Sequence, residues 1–133
     1  MKKLNLLLLL VLTFSCEKSS NDPLFFTLTI DNQNPSINIE WVRLSGTEWR
    51  DIVISNGQSR TFDLSDVRWN TIGTPDGNDN FTVSVGWRCN LPPMVDGYFD
   101  SVMTFDTSKT ITVTKPEIQV IACGCDCYVV TVT

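Results

Sequence analysis

Residues 81–89 alternate without a break. Phe81, Val83, Val85, Trp87 and Cys89 fall on one side, and Thr82, Ser84, Gly86 and Arg88 on the other. Strand side chains point alternately to opposite faces, whereas a helix brings every third or fourth residue to one face. This stretch therefore reads as a strand with one buried face, and it sets the period for the rest of the chain. Residues 24–30 repeat it with Leu24, Phe26, Leu28 and Ile30. Residues 37–41 repeat it from Ile37, after which the phase slips to Val42 and Leu44, as at a β-bulge. That reading leaves Trp41 in phase with the core, as Trp87 is.

Further runs cover residues 49–54, 58–64, 98–105, 110–114, 118–122 and 128–133. Asn56-Gly57 between two of them is a strong hairpin signal, because both residues tolerate the positive φ of a type I′ turn. Asp31 to Ser36 reads as a turn. Residues 65–80 form the long irregular stretch, with a turn at Thr74-Pro75-Asp76-Gly77. Pro92-Pro93 excludes residues 90–97 from a central strand. About eight or nine short strands without a helical period predict an all-β, antiparallel sandwich, Ig-like or similar, with a small β-barrel as the alternative.

The first residues follow a different logic. Lys2 and Lys3 precede an apolar run from Leu6 to Phe14, and Ser15 stands directly before Cys16. A basic start with a short apolar run matches an export signal. The run is too short to cross a bilayer, which takes about 20 apolar residues as a helix. Thr13-Phe14-Ser15-Cys16 resembles the lipobox of bacterial lipoproteins. The resemblance covers residues 1–16 and implies that the Cys16 thiol receives a diacylglycerol, after which the chain is cut before Cys16. It implies residues 1–15 as signal peptide, 16–23 as lipidated cysteine and tether, and 24–133 as the sandwich domain. It places the protein on the cell membrane or outer membrane, facing the periplasm or the cell surface. A flexible seven-residue tether spans about 15 Å on average, so the domain would sit close to the lipid.

Ten basic side chains stand against fifteen acidic ones, and the formal charge is −5. Such a balance argues against nucleic acid as a partner and against charge-driven adhesion to anionic lipid. Histidine is absent, which excludes Ser–His and Cys–His nucleophile pairs and any histidine metal ligand.

With Cys16 assigned to lipid, Cys89, Cys123, Cys125 and Cys127 remain, an even number in an exported chain. Disulfides are the expected state, and four cysteines permit three pairings. The alternative is a thiolate metal site on the same four residues. Fully extended, Cys123 and Cys127 would lie about 13 Å apart, too far to share one ion, so a metal site needs a tight turn at Gly124.

Asp76-Gly77-Asn78-Asp79-Asn80 begins like a calcium loop. It has Phe81 where the loop needs glycine and Trp87 where it needs the closing glutamate, so it reads as a solvated turn. Trp69, in the irregular stretch beside Arg68 and Asn70, is the candidate for stacking on a sugar. Carboxylates are plentiful, but none has the apolar surroundings that raise the pKa of a glycosidase acid. The sequence thus points to a lipid-anchored envelope protein with a non-catalytic binding or structural sandwich and no cofactor. Its partners are a membrane, through the anchor, and an envelope protein or a glycan. A glycan-binding module and a thiol-based metal-binding protein are the alternatives.

Overall fold

A computed structural model describes residues 25–68, 80–116 and 124–133. Cys16, the tether at 17–23, Trp69, Asp76 to Asp79, the run at 118–122 and Cys123 lie outside the described residues. Two four-stranded sheets pack face to face and no barrel closes, so the fold is the sandwich and not the barrel alternative. One sheet has the order β4 (Gln58–Asp63), β1 (Thr27–Gln33), β7 (Lys109–Thr114) and β8 (Val129–Val132). The other runs β3 (Thr47–Trp49), β2 (Ile37–Leu44), β5 (Asn80–Cys89) and β6 (Asp96–Thr104). The core forms where their inner faces meet: Leu28, Ile30, Ile37, Ile39, Val83, Val85, Phe105, Ile111 and Val113 are fully buried. Tyr128 closes one flank against Trp87 and Phe99. Trp49 on β3 meets Phe62 on β4 with ring centroids 4.8 Å apart and joins the two sheets.

Five features depart from the sequence reading, the first being the run at 49–54, where the strand is Thr47–Trp49 and Ile54 makes only an isolated bridge to Ile39. The β1–β7 pair is parallel, so the first sheet is mixed. Asn56-Gly57 does not join two paired strands. β3 pairs with β2 and β4 with β1, so the turn carries the chain from one sheet to the other. Only Gly57 there has positive φ (+81°), whereas a type I′ hairpin needs it at both central residues. That hairpin is found instead at Ser45 (φ 46°) and Gly46 (φ 81°), between the paired residues Leu44 and Thr47.

Asn32 is a core residue at the end of β1 rather than a turn residue. Its Nδ2 donates to the carbonyls of Ile37 (2.9 Å) and Ile54 (2.8 Å), and its Oδ1 accepts from Asn34 N (2.9 Å). A buried amide is tolerable because it is bonded on both sides. Lastly, the register of β2 shifts between Ile39 and Trp41. The bulge returns Val42 and Leu44 to the core and turns Trp41 outward, so Trp41 is not a core residue.

Candidate functional site

The two outer faces of the sandwich differ in chemistry. On the β4-β1-β7-β8 sheet the strand register aligns Thr61, Thr29 and Thr110 in one row. The next row holds Ser59, Asp31, Thr112 and Thr131. Threonine suits a solvated strand face through its β-branched stem and hydroxyl, and this face needs no further explanation.

The outer face of β3-β2-β5-β6 is aromatic and charged. Its central row is Trp41, Gly86 and Tyr98, aligned by pairing of β2 with β5 and of β5 with β6. Gly86 is the only outward position of residues 81–89 without a side chain. A Cβ built there would fall among the indole atoms of Trp41. The ring therefore lies directly on the glycine, with one π face against the sheet, and Trp41 is half-buried. Tyr98 stands beside it, 60% exposed, with ring centroids 6.2 Å apart and planes tilted by 34°.

Two arginines lie over Trp41, and a third, Arg88, lies on the same face of β5 as Gly86. The Arg43 guanidinium lies 5.6 Å from the Trp41 ring centroid and that of Arg50 5.8 Å, both within cation–π range. Arg50 is committed to Glu48, with Nε to Oε2 at 2.8 Å and Nη2 to Oε1 at 2.9 Å. Arg88 donates to both oxygens of Asp96 (2.7 and 3.2 Å) and lies 3.8 Å from Glu40. The bond from Arg88 holds the Asp96 carboxyl below the usual carboxylate range and raises the guanidinium correspondingly. Exposed Arg43 has no carboxylate partner among the described residues. In the same cross-strand row, Ser84 donates its hydroxyl to Asp100 Oδ1 (2.6 Å). The other Asp100 oxygen has no partner among the described residues. One small area thus presents an aromatic face, a free guanidinium, a phenol hydroxyl and a carboxylate.

The cysteines lie at one end of the sandwich. Cys89, at the end of β5, is bonded to Cys125, with Cα atoms 5.5 Å apart. Both are buried, and Cys125 Sγ lies 3.2 Å from the Ser36 carbonyl oxygen. Cys127 is also disulfide-bonded, to a sulfur outside the described residues. The expected disulfide chemistry is present, and the bond uses two of the four sulfurs that a thiolate metal site would need. Among the described residues no group of His, Cys, Asp or Glu is placed to hold a metal ion.

Beside this bond, the segment between β5 and β6 is fixed by Cys89 N to Val95 O (2.8 Å), Asn90 N to Ser36 O (2.8 Å) and Asn90 Nδ2 to Pro35 O (3.1 Å). The Pro92-Pro93 peptide within it is cis.

Of the residues singled out from sequence, Cys89 and Cys125 are brought together, Trp87 is core, and Trp69 lies outside the described residues. Trp41, Arg43, Tyr98 and Asp100 were not singled out as a group. The phase slip before Val42 was the available sign for Trp41. The pairing with Gly86 and Tyr98 requires the three-dimensional register. No family model matches this chain, and no curated protein or solved structure is similar to it.

Proposed function

We propose that the chain is a lipid-anchored, non-catalytic binding module of the bacterial cell envelope. It would be held in the cell membrane or outer membrane by acyl chains on Cys16 and display its sandwich to the periplasm or the cell surface. The binding reading is carried by the outer face at Trp41. An indole seated on a glycine, beside a cation that has no carboxylate partner among the described residues, supplies stacking area and a directed charge where the opposite sheet supplies hydroxyls. The anchor reading is supported by Lys2, Lys3, the apolar run and Ser15-Cys16. One acyl chain binds a bilayer only marginally, whereas two or more hold a protein there stably.

Metabolic labelling of the full chain in a bacterial host with an alkyne-bearing fatty acid tests the anchor. We expect a labelled protein in the membrane fraction, and loss of label in Cys16→Ala. An unmodified Cys16 thiol in the mature protein by mass spectrometry refutes it.

A further inference from the structure

We infer that the Trp41 face is a saccharide subsite selective for sugars bearing a carboxylate. Trp41 provides the stacking platform and Arg43 reads the charge. This inference rests on the binding-module reading above and assigns its ligand class.

The argument starts with what an indole lying flat on a sheet can take. The π face away from Gly86, with the Arg43 and Arg50 guanidiniums 5.6 and 5.8 Å from the ring centroid, matches in shape the flat C–H patch of a pyranose, which is apolar on its face and polar at its rim. Rim hydroxyls need both donors and acceptors close by. Tyr98, 60% exposed and 6.2 Å from Trp41, offers a hydroxyl. Asp100, fixed by Ser84 through one oxygen, offers the other as acceptor.

Selectivity comes from the arginines. Arg50 has its fork filled by Glu48, and Arg88 is held by Asp96. Arg43 sits against the ring, and its fork of donors has no partner among the described residues. A guanidinium pairs with a planar carboxylate through two parallel hydrogen bonds. In a chain with an excess of acidic groups, an arginine without a carboxylate is available for one brought by a ligand. Asp100 in the same cross-strand row as Arg43 repels an anionic ligand in proportion to its charge, and so disfavours a phosphate monoester more than a carboxylate. A singly charged uronic acid fits both constraints.

Trp41 could instead serve only as a cover over Gly86, with Arg43 resting on it. The two roles separate in a binding titration of the full-length protein in detergent. The probes are trisaccharides of galacturonate, glucuronate and mannuronate together with their methyl esters, which keep the ring and remove the charge. Tryptophan fluorescence and calorimetry give Kd at fixed salt. We expect at least one acid form to bind about tenfold or more tighter than its ester, the loss that follows removal of a charge-assisted hydrogen bond. Arg43→Gln, at an exposed position, abolishes that difference. Trp41→Ala, checked for folding by circular dichroism, weakens acid and ester alike. Equal binding of acid and ester, or Arg43→Gln behaving as wild type, overturns the charge selectivity. No binding of any probe overturns the subsite as a whole, while the lipid labelling reports separately on the anchor.

Discussion

Removing the Cys89–Cys125 bond is expected to cost the protein about 4 kcal/mol. The two residues are 36 apart in sequence. Closing a loop of that length removes about 13 cal/mol/K from the unfolded chain, or about 3.8 kcal/mol at 25 °C. Domains of this kind are stable by about 5–15 kcal/mol in total, so the bond accounts for a large share. In Cys89→Ala/Cys125→Ala, both side chains leave a buried site and add a small packing loss in the same direction. At this chain size the melting temperature should fall by about 15 °C. Urea unfolding followed by tryptophan fluorescence is the assay, since Trp87 lies in the core. The midpoint should drop, and the slope m should rise, because the released chain exposes more surface when unfolded. A double variant with midpoint and slope unchanged would refute the loop-entropy argument.

Two further predictions concern the core and the surface charges. Phe105 is fully buried beside Phe81, with ring centroids 6.2 Å apart. Phe105→Ala should cost about 3–5 kcal/mol in urea unfolding, and a loss below about 1 kcal/mol would mean that the two sheets do not meet there. The carboxyls of Asp63, Asp96 and Asp106 are all lowered from 3.8, by hydrogen bonds from Ser65 N, Arg88 and Lys109 respectively. A carboxyl whose pKa is lower folded than unfolded stabilises the fold fully above the unfolded value. That stabilisation is lost as pH falls through the folded one. The urea midpoint should therefore hold from neutral pH down to about 5 and decline below about 4, by a small amount because all three groups are exposed. A midpoint that rises on acidification would contradict this sign.

Most strands were legible where one face is buried and the other wet, but residues 50–54 alternate in the same way and form only an isolated bridge at Ile54. Residues 81–89 became β5, and Ile111 and Val113 pointed inward as their alternation required. What a two-residue period cannot carry is partnership. The parallel pairing of β1 with β7 leaves no local mark, because each strand alternates in the same way whichever neighbour it takes. Asn56-Gly57 was a sound turn signal attached to the wrong partners, while Ser45 accepted a positive φ that its residue type does not advertise. Asn32 reads as polar and hence as turn, since the carbonyls of Ile37 and Ile54 that satisfy it are distant in sequence or across a turn. The same limit applied to the candidate site. The slip ahead of Val42 was visible, but the glycine beneath Trp41 is 45 residues away and is found only through the β2–β5 register. Oxidised cysteines were expected from their even number and the export-like first residues, whereas the choice among three pairings needed coordinates.

The place of β1 has a mechanical consequence. This is the first strand among the described residues, and it lies inside its sheet with β4 on one flank and β7 on the other. A pull applied from the N-terminal side runs along the strand and across the direction of its hydrogen bonds. Both ladders are then loaded in shear, and many bonds must yield together instead of unzipping one after another. An edge strand in that position would peel. Were the domain held from its N-terminal side, the load would fall on an inner strand of the sheet and not on an edge.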